Sequence, residues 1–126
     1  MSAAELGTFD DLLTRWPVAV HPVAVALREA VFAVHPGACE TVRLGYHAAT
    51  YGTGPRMTDS YAYIMPHARW VNLGFYQGAV LLDPEGLLEG RGKQLRHTRV
   101  RTVEEAERAA LQALLTEALA RRTRNA

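Results

Sequence analysis

The sequence predicts an α+β fold, a two-layer sandwich in which helices at both ends of the chain pack on one face of an antiparallel sheet. Apolar residues recur at helical spacing near both termini, whereas apolar and polar residues alternate in the middle of the chain. A short turn, Pro66-His67-Ala68, separates two of the alternating stretches and favours an antiparallel hairpin. The chain of 126 residues is interpreted as one domain, residues 1–126.

Two helices are predicted near the N-terminus. Thr8 is the expected N-cap of the first, with Asp11 as its capping-box partner, and Pro17 ends this helix. The second helix is predicted from Pro22 to Val34, because proline suits the first position of a helix. Its apolar surface is broad enough to indicate burial on more than one side, in the core or against a second copy of the chain.

Strands are predicted in the middle of the chain, and alternation favours three of them before residue 77. They span Val42–Tyr46, Ser60–Met65 and Arg69–Tyr76. The Gly/Pro-rich stretch 51–55 is interpreted as a loop.

A turn, a further strand and a long helix are predicted to complete the fold. Asp83-Pro84-Glu85-Gly86 has the residues of a type I turn, and Leu87-Leu88-Glu89 is expected to extend it by one helical turn. Residues 95–101 are the fourth strand candidate. The last helix is predicted to begin at Thr102, where Glu105 completes a capping box.

Composition and charge exclude several classes of protein. The formal net charge of +1 argues against a dedicated nucleic-acid binder. No apolar run is long enough to span a membrane, so we expect no membrane association. Cys39 is the only cysteine, which suits a reducing compartment, and we expect a cytoplasmic protein.

One long segment carries a family resemblance. Residues 75–84, reading FYQGAVLLDP, and residues 87–97, reading LLEGRGKQLRH, resemble the signature of the YdhG-like domain-of-unknown-function family. Upstream, Pro36, Glu40 and Gly45-Tyr46 are similar to that family's pattern before its first strand. The resemblance covers most of the chain, from about Leu27 onward. It implies a frataxin-like two-layer fold, and some members are described as iron chaperones that serve iron–sulfur assembly.

The sequence contains no pattern typical of a metal site or a catalytic site. The five histidines lack the spacing of a metal site, and three of them, His21, His35 and His67, lie next to prolines. Iron delivery needs clustered carboxylates, whereas the acidic residues here are scattered. We therefore expect weak or no specific ferrous-iron binding, and no metal site or cofactor. We also expect no catalytic residue, so that the protein is not an enzyme.

The loop Gly90-Arg91-Gly92-Lys93 is the candidate ligand-binding segment. Gly90 and Gly92 allow backbone N–H groups to converge on an anion, and Lys93 and Arg96 supply positive charge beside them. Tyr46 is the candidate aromatic wall of the same pocket. The competing interpretation is that these glycines only end a turn and lead into a strand.

A second candidate surface lies on the strand that follows the hairpin. Trp70, Asn72 and Tyr76 are predicted to share one strand face and to form an interaction face for a protein or a second copy. The favoured function is that of a non-enzymatic binding or chaperone-like domain of the YdhG type. The alternatives are a small-anion binder or enzyme that uses the glycine-rich loop and Arg96, and a protein-interaction module that uses the Trp70/Tyr76 face. The expected partner is a small anion or a protein. The sequence does not determine the oligomeric state, and a homodimer is one of the alternatives.

Overall fold

The computed structural model describes residues 5–124, which form an antiparallel sheet and helices. The helices are α1 (Phe9–Leu13), α2 (His21–Val34), α3 (Val103–Ala106) and α4 (Ala109–Arg124). The strands are β1 (Leu6–Gly7), β2 (Cys39–Arg43), β3 (Ala48–Gly52), β4 (Ser60–Pro66), β5 (Val71–Phe75) and β6 (Arg96–Val100). The α+β class is therefore confirmed.

The six strands occupy the sheet in chain order, each antiparallel to the next. One hydrophobic cluster joins the helices to one face of the sheet. Alternation places Ile64, Leu73 and Phe75 on this helix-covered face, while Tyr63 and Asn72 lie on the opposite, open face. Within residues 5–124, no helix is long and apolar enough to cross a membrane.

The predicted N-terminal cap is confirmed. The Thr8 hydroxyl accepts from the Asp11 amide at 3.0 Å, and the Asp11 carboxylate accepts from the Thr8 amide at 2.8 Å. The next helix, α2, begins at His21, one residue before the predicted start, and ends at Val34 as predicted.

Two predictions before β4 are wrong. The first predicted strand is displaced: β2 ends at Arg43, and Leu44–Tyr46 forms a 3-10 turn closed by His47 at a left-handed φ of 58°. The stretch interpreted as a loop begins inside β3. All five residues of β3 are buried, so this strand lacks the polar alternation by which a half-buried strand is identified.

The segment before β6 forms the predicted turn at residues 83–86, but the helical turn predicted after it is not formed. The Gly86 amide donates to the Asp83 carbonyl at 3.1 Å, which closes the turn. The Asp83 carboxylate then accepts from the amides of Leu87 and Leu88, both at 2.9 Å. Glu89 exchanges two backbone hydrogen bonds with His97, so the expected helical turn is absent from 87–89 and the segment runs alongside β6.

The last helical segment begins after Thr102, as predicted. The Thr102 hydroxyl accepts from the Glu105 amide at 3.1 Å. The other half of the capping box is wrong, because the Glu105 carboxylate accepts from the Arg101 amide instead. The helix is also interrupted at residues 107–108, which separates α3 from α4.

Candidate functional site

A cleft lies where β4 begins, β5 ends and α4 reaches its last turns. It consists of two adjoining cavities of about 330 and 280 Å³, and both are lined by Gln77, Gln94 and Arg121. The larger cavity adds Arg122, Tyr61 and Tyr76 among other residues, and the smaller adds Lys93. We call the two cavities together the basic cleft.

Three separate segments of the chain supply the polar groups of the basic cleft. Arg121 and Arg122 stand near the end of α4, Gln77 follows β5, and the glycine-rich loop contributes Lys93 and Gln94. The Ala79 amide donates to the Gln94 carbonyl at 2.9 Å, which ties the loop to the segment after β5. The cleft is therefore a product of the tertiary fold.

Positive charge predominates at the cleft. Arg121 forms an ion pair with Glu117, with 2.8 Å between Nε and Oε2, and Nη1 of Arg122 donates to the Thr58 carbonyl at 2.8 Å. Lys93 is exposed and has no ion-pair partner among residues 5–124. Arginine and lysine together offer both a planar donor fork and a mobile point charge, the groups that hold phosphate and carboxylate.

The larger cavity has aromatic and apolar walls below this charged rim. Phe75 and Leu81 are buried there, beside Tyr61 and Tyr76. Burial raises the pKa of each tyrosine to about 12, so both hydroxyls stay protonated at neutral pH. The Tyr61 hydroxyl lies 2.8 Å from Nδ1 of His35. The cleft thus combines an apolar floor with a cationic rim.

The candidate residues of the glycine-rich loop divide into two groups. Lys93 lines the basic cleft, whereas Arg96 is absent from the lining of both cavities. Nη1 of Arg96 donates to the carbonyls of Gly92 and Leu95, at 2.6 and 2.7 Å. Gly90 adopts a φ of 127°, a conformation that favours glycine. Arg96, Gly90 and Gly92 therefore shape the loop that presents Lys93.

Tyr46 does not contribute a wall to this cleft. It lies in a different groove, on the open face of the sheet, where Leu95 is the nearest contribution from the glycine-rich segment. Half of its surface is exposed, at 52%.

The expected interaction face is divided between two places. Trp70 precedes β5 and stacks on His67, with 5.2 Å between ring centroids, and Arg99 covers it at 4.7 Å. The amide nitrogen of Asn72 lies 3.1 Å from Nε2 of His67. Tyr76, at the other end of β5, contacts Tyr63 instead. The ring of Trp70 and the amide nitrogen of Asn72 are thus engaged within the protein.

Most residues of the cleft were not predicted from the sequence, among them the polar residues Gln77, Gln94, Arg121 and Arg122. In the sequence the two arginines carry no sign of a site, because the helix dipole favours cations at the end of any helix. No pattern in the sequence connects them to Lys93, because that proximity depends on how α4 crosses the sheet.

No three His, Cys, Asp or Glu side chains among residues 5–124 are grouped closely enough to hold a metal ion. Comparisons of the chain with family models, with curated proteins and with solved structures found no match.

Proposed function

We propose that this protein is a non-enzymatic binding domain whose ligand is a small phosphate ester held in the basic cleft. The observation that supports this most strongly is that Lys93 and Arg121, from segments far apart in sequence, line one cavity. A phosphate would accept hydrogen bonds from Arg121, Arg122 and Lys93, and the organic part of the ester would lie against Tyr61 and Phe75.

The balance of charge favours an anion over a cation at this place. Glu117 offsets one of the three positive charges through its pairing with Arg121. The nearby Asp59 carboxylate forms an ion pair with the Arg56 guanidinium and accepts a hydrogen bond from the Arg56 backbone amide. An anion entering the cleft would therefore meet a net positive site, and salt would weaken its binding.

Family and cellular compartment are further proposals. We propose a YdhG-like domain with a frataxin-like arrangement of helices on a sheet, in accordance with the signature in residues 75–97. We place it in the cytoplasm because Cys39 is the only cysteine. A role in iron handling is the competing chaperone hypothesis.

A thermal-shift screen separates these hypotheses, since a ligand that binds only the folded state raises the unfolding midpoint. The probes are phenyl phosphate, a nucleoside monophosphate and ferrous iron. Binding in the basic cleft predicts a response to the phosphate esters that Lys93→Gln and Arg121→Gln reduce. Arg69→Gln is the matched control, because Arg69 is an exposed arginine in the turn before β5, at the opposite end of that strand from the cleft.

The results of the thermal-shift screen distinguish the hypotheses. A response to iron alone would favour the chaperone hypothesis and contradict the anion site. No response to any probe would leave the interaction module as the remaining function. Equal losses in Arg121→Gln and Arg69→Gln would show that net charge, and no particular cleft, governs binding.

A further inference from the structure

A second concave site lies on the open face of the sheet, away from the helices. It has a volume of about 220 Å³ and is lined by residues that include Arg43, Tyr46, Tyr63, Met65 and Tyr76. We call it the tyrosine groove. No residue of α1 to α4 lines it, so the groove belongs to the sheet and its connecting turns.

Arg43 is the charged group of the tyrosine groove, and its hydrogen-bond partners are neutral. Nε donates to the Thr50 hydroxyl at 3.3 Å, and Nη2 donates to the Pro55 carbonyl at 3.1 Å. No carboxylate among residues 5–124 lies within ion-pair distance of it. The side chain is half-buried, so its charge is neither paired nor fully hydrated. The guanidinium is thus held in place with N–H groups left for an anion.

Aromatic rings form the walls around this cation. The rings of Tyr63 and Tyr76 lie 5.3 Å apart at centroid, and Tyr63 extends across Gly74, where any side chain would collide with it. Burial raises the pKa of both tyrosines, to about 12 for Tyr76, so neither places a negative charge beside Arg43. Tyr46, Met57 and Met65 complete apolar walls against which a flat group can pack.

We propose that the tyrosine groove binds a small carboxylate that carries one aromatic ring. The carboxylate accepts hydrogen bonds from Arg43, and the ring packs among Tyr46, Tyr63 and Tyr76. Arginine suits this role because its planar fork matches the two oxygens of a carboxylate. The small volume selects a free molecule with a single ring. The groove shares Met57 and Tyr76 with the basic cleft, but its cation is Arg43, whereas the cleft has Lys93, Arg121 and Arg122 and a different proposed ligand.

The test is a titration followed by nuclear magnetic resonance with three probes. Phenylacetate has the ring and the charge, phenylacetamide has the ring alone, and acetate has the charge alone. We expect saturable shifts at the amides of Thr50 and Tyr63 with phenylacetate, at an affinity at least about tenfold above either of the other probes, a ratio that corresponds to about 1.4 kcal/mol.

Variants locate the interaction. Arg43→Gln should weaken phenylacetate binding about tenfold or more, and Arg43→Lys should weaken it less, because the charge persists without the fork. Arg69→Gln, the matched control, and Arg121→Gln, in the basic cleft, should leave it unchanged. If Arg43→Gln fails to fold, the comparison of phenylacetate with phenylacetamide on the unaltered protein still tests whether the carboxylate is required for binding.

Three results would overturn the proposal. They are the absence of saturable phenylacetate binding, equal affinity for the acid and its amide, and loss of binding in Arg121→Gln. The last of these would place the carboxylate in the basic cleft. Failure of phosphate esters to bind would not contradict the tyrosine groove, since that result concerns the cations Lys93, Arg121 and Arg122, whereas the groove depends on Arg43.

Discussion

The ring of Tyr63 occupies the space in which a side chain at Gly74 would stand. The two residues are direct partners across β4 and β5, and a β-carbon built on Gly74 would collide with Cζ, Cε1 and the hydroxyl of Tyr63. Glycine in a strand interior is costly because of its backbone freedom, but here it allows an aromatic ring to lie flat on the sheet. The tyrosine groove depends on this arrangement.

Gly74→Ala is therefore expected to destabilise the protein by about 1–3 kcal/mol, since the Tyr63 ring must move from its place. In a Tyr63→Ala background the same change should be neutral or stabilising by about 0.5 kcal/mol, because alanine orders the strand better than glycine. Urea unfolding of the four proteins in this cycle measures the coupling. Equal costs in both backgrounds would show that the ring does not occupy this space.

Glu40 connects α2 to the core of the sheet. Its carboxylate accepts from Nε and Nη2 of Arg28, at 2.6 and 2.9 Å, and from the hydroxyl of the fully buried Tyr51 at 2.8 Å. Beside this carboxylate the pKa of the Arg28 guanidinium is raised, chiefly through their hydrogen bond. The glutamate that contributed to the family resemblance thus has a structural place in this chain.

Glu40→Ala should lower the free energy of unfolding by about 2–3 kcal/mol, because it leaves the Tyr51 hydroxyl without its acceptor and Arg28 without its partner. Tyr51→Phe should cost about 1 kcal/mol, since it removes the hydroxyl together with the need for a partner. Glu29→Ala is the control, because Glu29 is an exposed glutamate on α2, next to Arg28. A cost for Glu40→Ala no larger than that of the control would contradict the network.

Thr102 caps the last helical segment, and Thr102→Ala should cost about 1 kcal/mol of stability. The same substitution at Thr116 is the control, since that residue is exposed within α4. Thr116→Ala should be neutral or slightly stabilising, because alanine is the better helix former. Chemical unfolding compares the two variants, and equal effects would mean that the Thr102 hydroxyl contributes nothing as a cap.

Two histidines should make the stability depend on pH. Burial lowers the pKa of His35 and is also the main cause of the lowered pKa of His67. The unfolded chain binds protons at an ordinary value of about 6.5, so it takes up protons before the folded protein does. The free energy of unfolding should therefore be highest above that pH. It should decrease as the pH falls toward the lower pKa values that the two histidines have in the folded protein.

The measurement is the urea midpoint between about pH 7.5 and 5.5, the range in which imidazole titrates. The protein should lose stability toward the acid end, and the double variant His35→Gln, His67→Gln should show a flatter profile. A profile that is equally steep with and without these imidazoles would assign the dependence to other groups.

Local signals in the sequence determine much of this fold. The caps at Thr8 and Thr102, the end of α2 at Val34 and the turn at Asp83 each depend on residues within a few positions, and such contacts can be predicted from spacing. In contrast, β3 is buried on both faces and carries no alternation, and β1 has only two residues. Both form strands because they pair with neighbouring strands, which local sequence does not reveal.

The candidate sites were less predictable than the fold for the same reason. The place of Lys93 in a cavity agrees with its position beside two glycines, but Arg121 joins it only through the crossing of α4 over the sheet. Arg96 is of a residue type suited to ligand binding, yet its Nη1 donates to the carbonyls of its own loop and it lines neither cavity of the basic cleft. Residue type alone does not distinguish these two outcomes.

The most direct test of the account is a titration of the isotopically labelled protein with phenyl phosphate, followed by the backbone amide resonances. Binding in the basic cleft predicts saturable shifts at Gln77, Gln94 and Arg121 that are reduced in Lys93→Gln and unchanged in Arg69→Gln. Doubling the salt concentration should weaken the affinity, because the charges lie near the surface. Shifts confined to other parts of the protein, or no saturable shifts at all, would contradict the proposal that this cleft is the functional site.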